Sequence, residues 1–120
     1  MITHPEVRAV VLAKLRAVSG VTWDLVPGSG SVGLEAAGLA FGLTVYAVEK
    51  NPERAGNLRS NAMEQGIALE VVEGTIADAM PGMPDPDYIF FGGGSAELET
   101  AFARLRPGGT LVATAVLVET

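Results

Sequence analysis

Two short segments carry the residues best suited to chemistry. They are Trp23-Asp24-Leu25-Val26-Pro27-Gly28-Ser29-Gly30-Ser31-Val32-Gly33 and, further on, Tyr46-Ala47-Val48-Glu49-Lys50. In the first, an apolar run breaks into a glycine turn and a helical pattern opens at once. Lacking a Cβ, Gly28 and Gly30 permit a sharp turn and let the backbone lie close to a ligand. A helix beginning near Ser31 would aim unpaired N–H groups at the same ligand. In the second segment, Glu49 closes an apolar strand with a carboxylate that can accept from both hydroxyls of a ribose, at roughly 1.5–3 kcal/mol per charge-assisted bond. Together these residues predict the beginning of a nucleoside-cofactor site. Asp24 fits either a tie for the glycine loop or a cofactor contact.

Gly28, Gly30 and Gly33 also spell the dinucleotide fingerprint, and the strand, the turn, the helix and the downstream acid that the fingerprint needs are all present. Against NAD or FAD stands the spacing. The helix between the turn and the second strand is about two residues shorter than the dinucleotide pattern, whose acid follows at roughly twenty residues. That spacing is more like an S-adenosylmethionine (SAM) methyltransferase. NAD stays open as the alternative cofactor.

The elements that must position these residues follow from periodicity. Thr3 can cap a helix with Glu6 three residues on, and Val7, Val10, Val11, Leu15 and Val18 recur at helical spacing as far as Gly20. Strands are expected at 21–26, 44–49, 69–73, 88–91 and 110–118. Helices are expected at 31–42, from Asn51-Pro52 to Gly66, briefly around Asp78, and at 96–106. Pro81 to Pro86 cannot continue a helix. Helices alternating with apolar strands imply an α/β domain whose parallel sheet is covered on both faces. Ligands of such sheets sit at the carboxyl ends of the strands. The candidate cofactor contacts are therefore Gly28, Ser29, Gly30 and Ser31 after the first strand, Glu49 and Lys50 after the second, Gly74, Thr75 and Ile76 after the third, and Gly92 after the fourth.

Composition sets the outer bounds. A chain of 120 residues, 48% of them apolar, is one domain and buries roughly 65% of its unfolded surface. It has no cysteine and a single histidine, His4, so no disulfide, thiolate nucleophile or metal site is expected. A net charge of −6 argues against a nucleic-acid partner, which needs clustered Lys and Arg. There is no signal-peptide pattern and no apolar run of about eighteen residues, so a cytoplasmic protein with no membrane association is expected.

A wider set of motifs carries a resemblance over essentially the whole chain. They include Ile2-Thr3, Val7-Arg8-Ala9, Gly28-Ser29-Gly30-Ser31-Val32, Glu35-Ala36-Ala37, Val45-Tyr46-Ala47-Val48-Glu49, Asn61-Ala62 and Val72-Glu73-Gly74. Pro84-Asp85, Phe90-Phe91-Gly92-Gly93-Gly94 and Leu105-Arg106-Pro107-Gly108-Gly109 follow in order. In this the sequence resembles the decarboxylating precorrin-6Y C15-methyltransferase family of cobalamin biosynthesis. The resemblance implies a Rossmann-like SAM-methyltransferase sandwich with a five-stranded parallel sheet in the order 3-2-1-4-5. It implies SAM as cofactor, a tetrapyrrole (precorrin) as substrate, and methyl transfer to a tetrapyrrole carbon with loss of carbon dioxide from an acetate side chain. It also implies a homo-oligomer, to which an apolar edge strand at 110–118 would contribute.

The departures from the family pattern are specific. Val26 stands where the family has a glycine, Ile76-Ala77 where it has Ala-Pro, and Val11, Thr114 and Leu117 replace small or polar residues. Family members continue past the fifth strand with a further helix and two strands, so a single domain over 1–120 lacking those strands is expected. No catalytic acid or base stands out. Besides the dinucleotide-binding module, a non-catalytic scaffold that retains the fold is the remaining alternative.

Overall fold

The computed structural model describes residues 19–26 and 42–113. Within them the elements run β1 (Ser19–Leu25), β2 (Gly42–Glu49), α1 (Pro52–Glu64), β3 (Leu69–Glu73), α2 (Ile76–Ala79), a 3-10 turn (Met80–Gly82), β4 (Tyr88–Phe91), α3 (Ser95–Arg104) and β5 (Thr110–Ala113). The strands form one parallel sheet in the order β3-β2-β1-β4-β5, as the resemblance implied. The helix expected before Gly20, residues 31–41 of the helix expected at 31–42, the turn at Gly28-Ser29-Gly30-Ser31, and the strand residues beyond Ala113 lie outside the described residues.

Side chains alternate across the strands, and the parallel register stacks them face by face. One face carries Trp23 and Leu25 of β1, Val48 of β2, and Ile89 and Phe91 of β4, packed with Ala79, Met80 and Met83 and with Ala101 of α3. The other face carries Thr22, Asp24, Val45, Ala47 and Phe90, all at most 2% exposed. Both faces are therefore buried, which is why the strands read as continuous apolar runs.

The element ends have local causes. Asn51 caps α1 by accepting the Arg54 N–H at 3.1 Å, and Pro52 fills the first turn, where no N–H is needed. The helix closes when Gly66 turns left-handed at φ +65°, with the Gly66 N–H on Met63 O and the Ile67 N–H on Ala62 O. α3 ends at Arg104, two residues earlier than the periodicity suggests. Pro107 disfavours helical backbone at Arg106, whose N–H turns instead to Pro86 O at 2.9 Å. Gly20 and Gly42, expected to end helices, lie inside β1 and β2. β1 stops at Leu25, one residue short of the expected Val26, because the Val26 N–H folds back onto the Asp24 carboxylate at 3.2 Å.

The amino ends of the strands are tied by charge. Asp87 accepts the Val21 N–H at 2.9 Å, and a Cβ on Gly20 would come within 2.5 Å of that carboxylate. Arg104 spans the Pro-rich connection, donating to Met80 O, Met83 O and Asp85 while its guanidinium sits 5.1 Å from the centre of the Trp23 ring. Arg104 thus clasps the connection to α3 at the amino side of the sheet, and the carboxyl ends are left to form a site. No helix among the described residues is long and apolar enough to cross a membrane.

Candidate functional site

At the carboxyl ends of the sheet lies a cavity of about 250 Å³. Its described wall is built at three junctions: Val48 and Glu49 closing β2 with Lys50 after them, Gly74 and Thr75 after β3 with Ile76 opening α2, and Gly93 and Glu97 before and within the first turn of α3. The volume falls a little under the roughly 300–1,000 Å³ of whole small-molecule pockets, a fit for the base and sugar of a larger ligand.

Glu49 is the best-anchored polar group there. Its residue is 4% exposed, and Oε2 accepts the Asn51 N–H at 2.9 Å, which fixes the carboxylate against the start of α1. Its main-chain carbonyl accepts the Gly74 N–H at 3.0 Å, so the ends of β2 and β3 are joined behind the cavity. Gly74 has φ +145°, a backbone that a side chain would strain, and a Cβ there would face open space. Thr75 spends its hydroxyl capping α2, accepting the Asp78 N–H at 3.2 Å. Val48 and Ile76 supply apolar surface.

Five of the candidates from sequence, Glu49, Lys50, Gly74, Thr75 and Ile76, share this cavity. Gly92 does not line it. Its N–H is donated to Leu25 O at 3.3 Å and extends the β1–β4 ladder, and the next glycine takes its place at the wall. Gly28, Ser29, Gly30 and Ser31 lie outside the described residues. Asp24 is 2% exposed and holds the Val26 N–H, so it ties the exit of β1 toward the glycine turn. Val26, 1% exposed, lies in the interior and is not part of the described wall.

Gly93 and Glu97 were not singled out by sequence reasoning. The signal was present: Phe91-Gly92-Gly93-Gly94 leads from a strand into a helix with an acid in its first turn, the same strand–glycine–helix pattern that the sequence predicts after the first strand. A Cβ on Gly93 would stand 2.9 Å from the Phe91 ring tip and 3.1 Å from Ile76 Cδ1. Glycine here lets the turn lie flat against the cavity floor.

The residues present fit an adenosyl group. A fixed carboxylate suits a ribose diol, apolar Val48 and Ile76 suit the faces of a purine, and a second carboxylate, Glu97, adds an acceptor. Among the described residues no group of His, Asp and Glu could hold a metal ion.

Comparison with known proteins gives a consistent result. The sequence profile of the precorrin methyltransferase domain matches residues 1–120. A Sinorhizobium protein named precorrin-6Y C(5,15)-methyltransferase [decarboxylating] is 42% identical over 123 residues, covering 98% of this chain and 30% of that protein. A Pyrobaculum aerophilum protein named probable cobalt-precorrin-6B C(15)-methyltransferase (decarboxylating) is 35% identical over 98% of this chain and 64% of its own length. The chain thus spans from under a third to just under two thirds of these relatives. Among solved structures, a precorrin-6y C5,15-methyltransferase from Geobacter metallireducens superposes with a TM-score of 0.85 at 35% identity, covering 98% of this chain and 66% of that one. An RNA methyltransferase from Salinibacter ruber in complex with S-adenosyl-L-homocysteine shares the fold at a TM-score of 0.78 and 23% identity, covering 94% of this chain and 76% of that one.

Proposed function

The chain belongs to the precorrin methyltransferase domain family, and on that premise we propose that its cavity binds SAM for methyl transfer to a precorrin carbon, coupled to loss of carbon dioxide from the substrate. The observation that carries the reading is the Glu49 carboxylate, buried at the end of β2 and held by the Asn51 N–H beside the turn at Gly74–Ile76. It takes the ribose hydroxyls, and the base lies between Val48 and Ile76. When bound, SAM supplies an activated methyl group, and the protein's part is alignment of methyl and carbon.

Charge separates this reading from NAD. Among the described residues, the cavity wall holds two carboxylates, Glu49 and Glu97, against one cation, Lys50. A sulfonium cofactor suits that balance, whereas a pyrophosphate is repelled by it. The reading includes a cytoplasmic protein that acts on a small tetrapyrrole and not on nucleic acid. It also includes self-association through β5. Edge strand β3 carries Glu70 and Glu73 and is braced by Arg59, which donates to Val71 O at 3.3 Å; β5 is apolar at Leu111 and Val112.

Incubation of the protein with methyl-labelled SAM and a precorrin that retains its acetate side chains tests the proposal. The expected product has gained the labelled methyl and lost carbon dioxide. A precorrin recovered unchanged, under conditions where SAM is bound, would leave the fold with a binding role and contradict the catalytic reading.

A further inference from the structure

We propose that Glu97 selects the cofactor's base by accepting a hydrogen bond from its exocyclic amine, so that adenine is preferred to a purine bearing a carbonyl at that position. The proposal rests on the adenosyl reading above and deepens it. Among the described residues, four polar side chains line the cavity: Glu49, Lys50, Thr75 and Glu97. Glu49 faces the ribose in that reading. The Thr75 hydroxyl already accepts the Asp78 N–H, and the Lys50 ammonium has only donors, so it offers nothing to an amine. Among the described lining residues Glu97 is therefore the carboxylate left for the base, and a charged acceptor is stronger than the second lone pair of the Thr75 hydroxyl.

Position supports the same assignment. The described wall comes from the ends of β2 and β3 and the approach to α3, and no described residue of β1 contributes to it. A nucleoside whose ribose is held by Glu49 therefore has this space, between the ends of β2 and β3 and the start of α3, for its base. The Glu97 side chain is also given room. Its Oε2 lies 2.9 Å from where a Cβ on Gly94 would stand, so glycine at that position clears the path of the carboxylate.

The competing role is structural. Glu97 is the third residue of α3, where a glutamate can reach back to the N–H of the capping residue. Among the described residues no such bond to Gly94 is made. Glu97 lines the cavity instead, with Oε2 lying beside Gly94 at its edge.

Equilibrium titration separates the two roles. The probes are S-adenosylhomocysteine and S-inosylhomocysteine, which differ in amine against carbonyl at one ring carbon and in protonation of the adjacent nitrogen. The unaltered protein is expected to prefer the adenosyl ligand by about tenfold or more. Glu97→Ala should bring the two within about threefold, and Glu97→Gln, whose amide can donate to the carbonyl, should shift the ratio further toward the inosyl ligand. Equal affinities in the unaltered protein, or a ratio untouched by both substitutions, would overturn the role of Glu97. Glu49→Ala should weaken both ligands alike and leave the ratio intact, which would uphold the adenosyl reading even if Glu97 fails. Absence of binding by either ligand to the unaltered protein would overturn both.

Discussion

Gly93 shows how closely the cavity floor is fitted. A methyl group there must displace either the Phe91 ring, which is 2% exposed and wedged in the core, or the tip of Ile76, which borders the cavity. The looser neighbour yields, so Gly93→Ala should push Ile76 into the space of the base and weaken S-adenosylhomocysteine by about fivefold, near 1 kcal/mol. An unchanged dissociation constant would show that the base lies elsewhere. On the opposite face of the sheet, Thr22 is 2% exposed, and its hydroxyl has no hydrogen-bond partner among the described residues. An orphaned hydroxyl costs more buried than a methyl group does. Thr22→Val should therefore raise stability by about 1 kcal/mol, read as a higher urea midpoint with unchanged slope. A lower midpoint would contradict this.

At the level of elements, Arg104 holds the amino side of the sheet as Glu49 holds the carboxyl side. It joins α3 to the carbonyls of Met80 and Met83, to Asp85 and to the face of Trp23, with its side chain 29% exposed. Arg104→Ala leaves two carbonyls without their donor and should cost roughly 2–3 kcal/mol, a lower thermal midpoint with little change in ligand affinity once folded. A loss of affinity larger than the loss of stability would place Arg104 in the site's machinery. Much of the element layout was legible in the sequence. β3 and β4 lie where apolar runs between turn residues place them, and Asn51-Pro52 and Gly66 bound α1 by well-defined capping chemistry. The misplaced boundaries have tertiary causes. Gly20 reads as a helix stop by local preference, yet its positive φ serves a strand that must pass the Asp87 carboxylate. The place of Glu49 and Gly74 at the cavity was legible because an acid or a glycine at a strand end stands out locally. Glu97 was not, because it lies in the first turn of α3, where an acid already has a local reason to be.

For the molecule as a whole, the sheet order brings together turns that are distant in sequence. β2 and β3 are neighbours, and β4 lies on the other side of β1, so residues 48–50, 74–76, 93 and 97 meet at one rim. Among its described residues the rim carries more negative than positive side chains, in a chain whose net charge is −6. That pattern favours a cofactor with a positive centre over one with a pyrophosphate. The central claim, adenosyl binding anchored on Glu49, is tested most directly by calorimetric titration of S-adenosylhomocysteine and NAD in parallel into the protein and its Glu49→Ala variant. The account predicts that S-adenosylhomocysteine binds, that NAD does not, and that Glu49→Ala weakens the former about ten- to a hundredfold, equivalent to roughly 1.5–3 kcal/mol. Tighter binding of NAD than of S-adenosylhomocysteine, or an affinity for S-adenosylhomocysteine that is unchanged in Glu49→Ala, would contradict it.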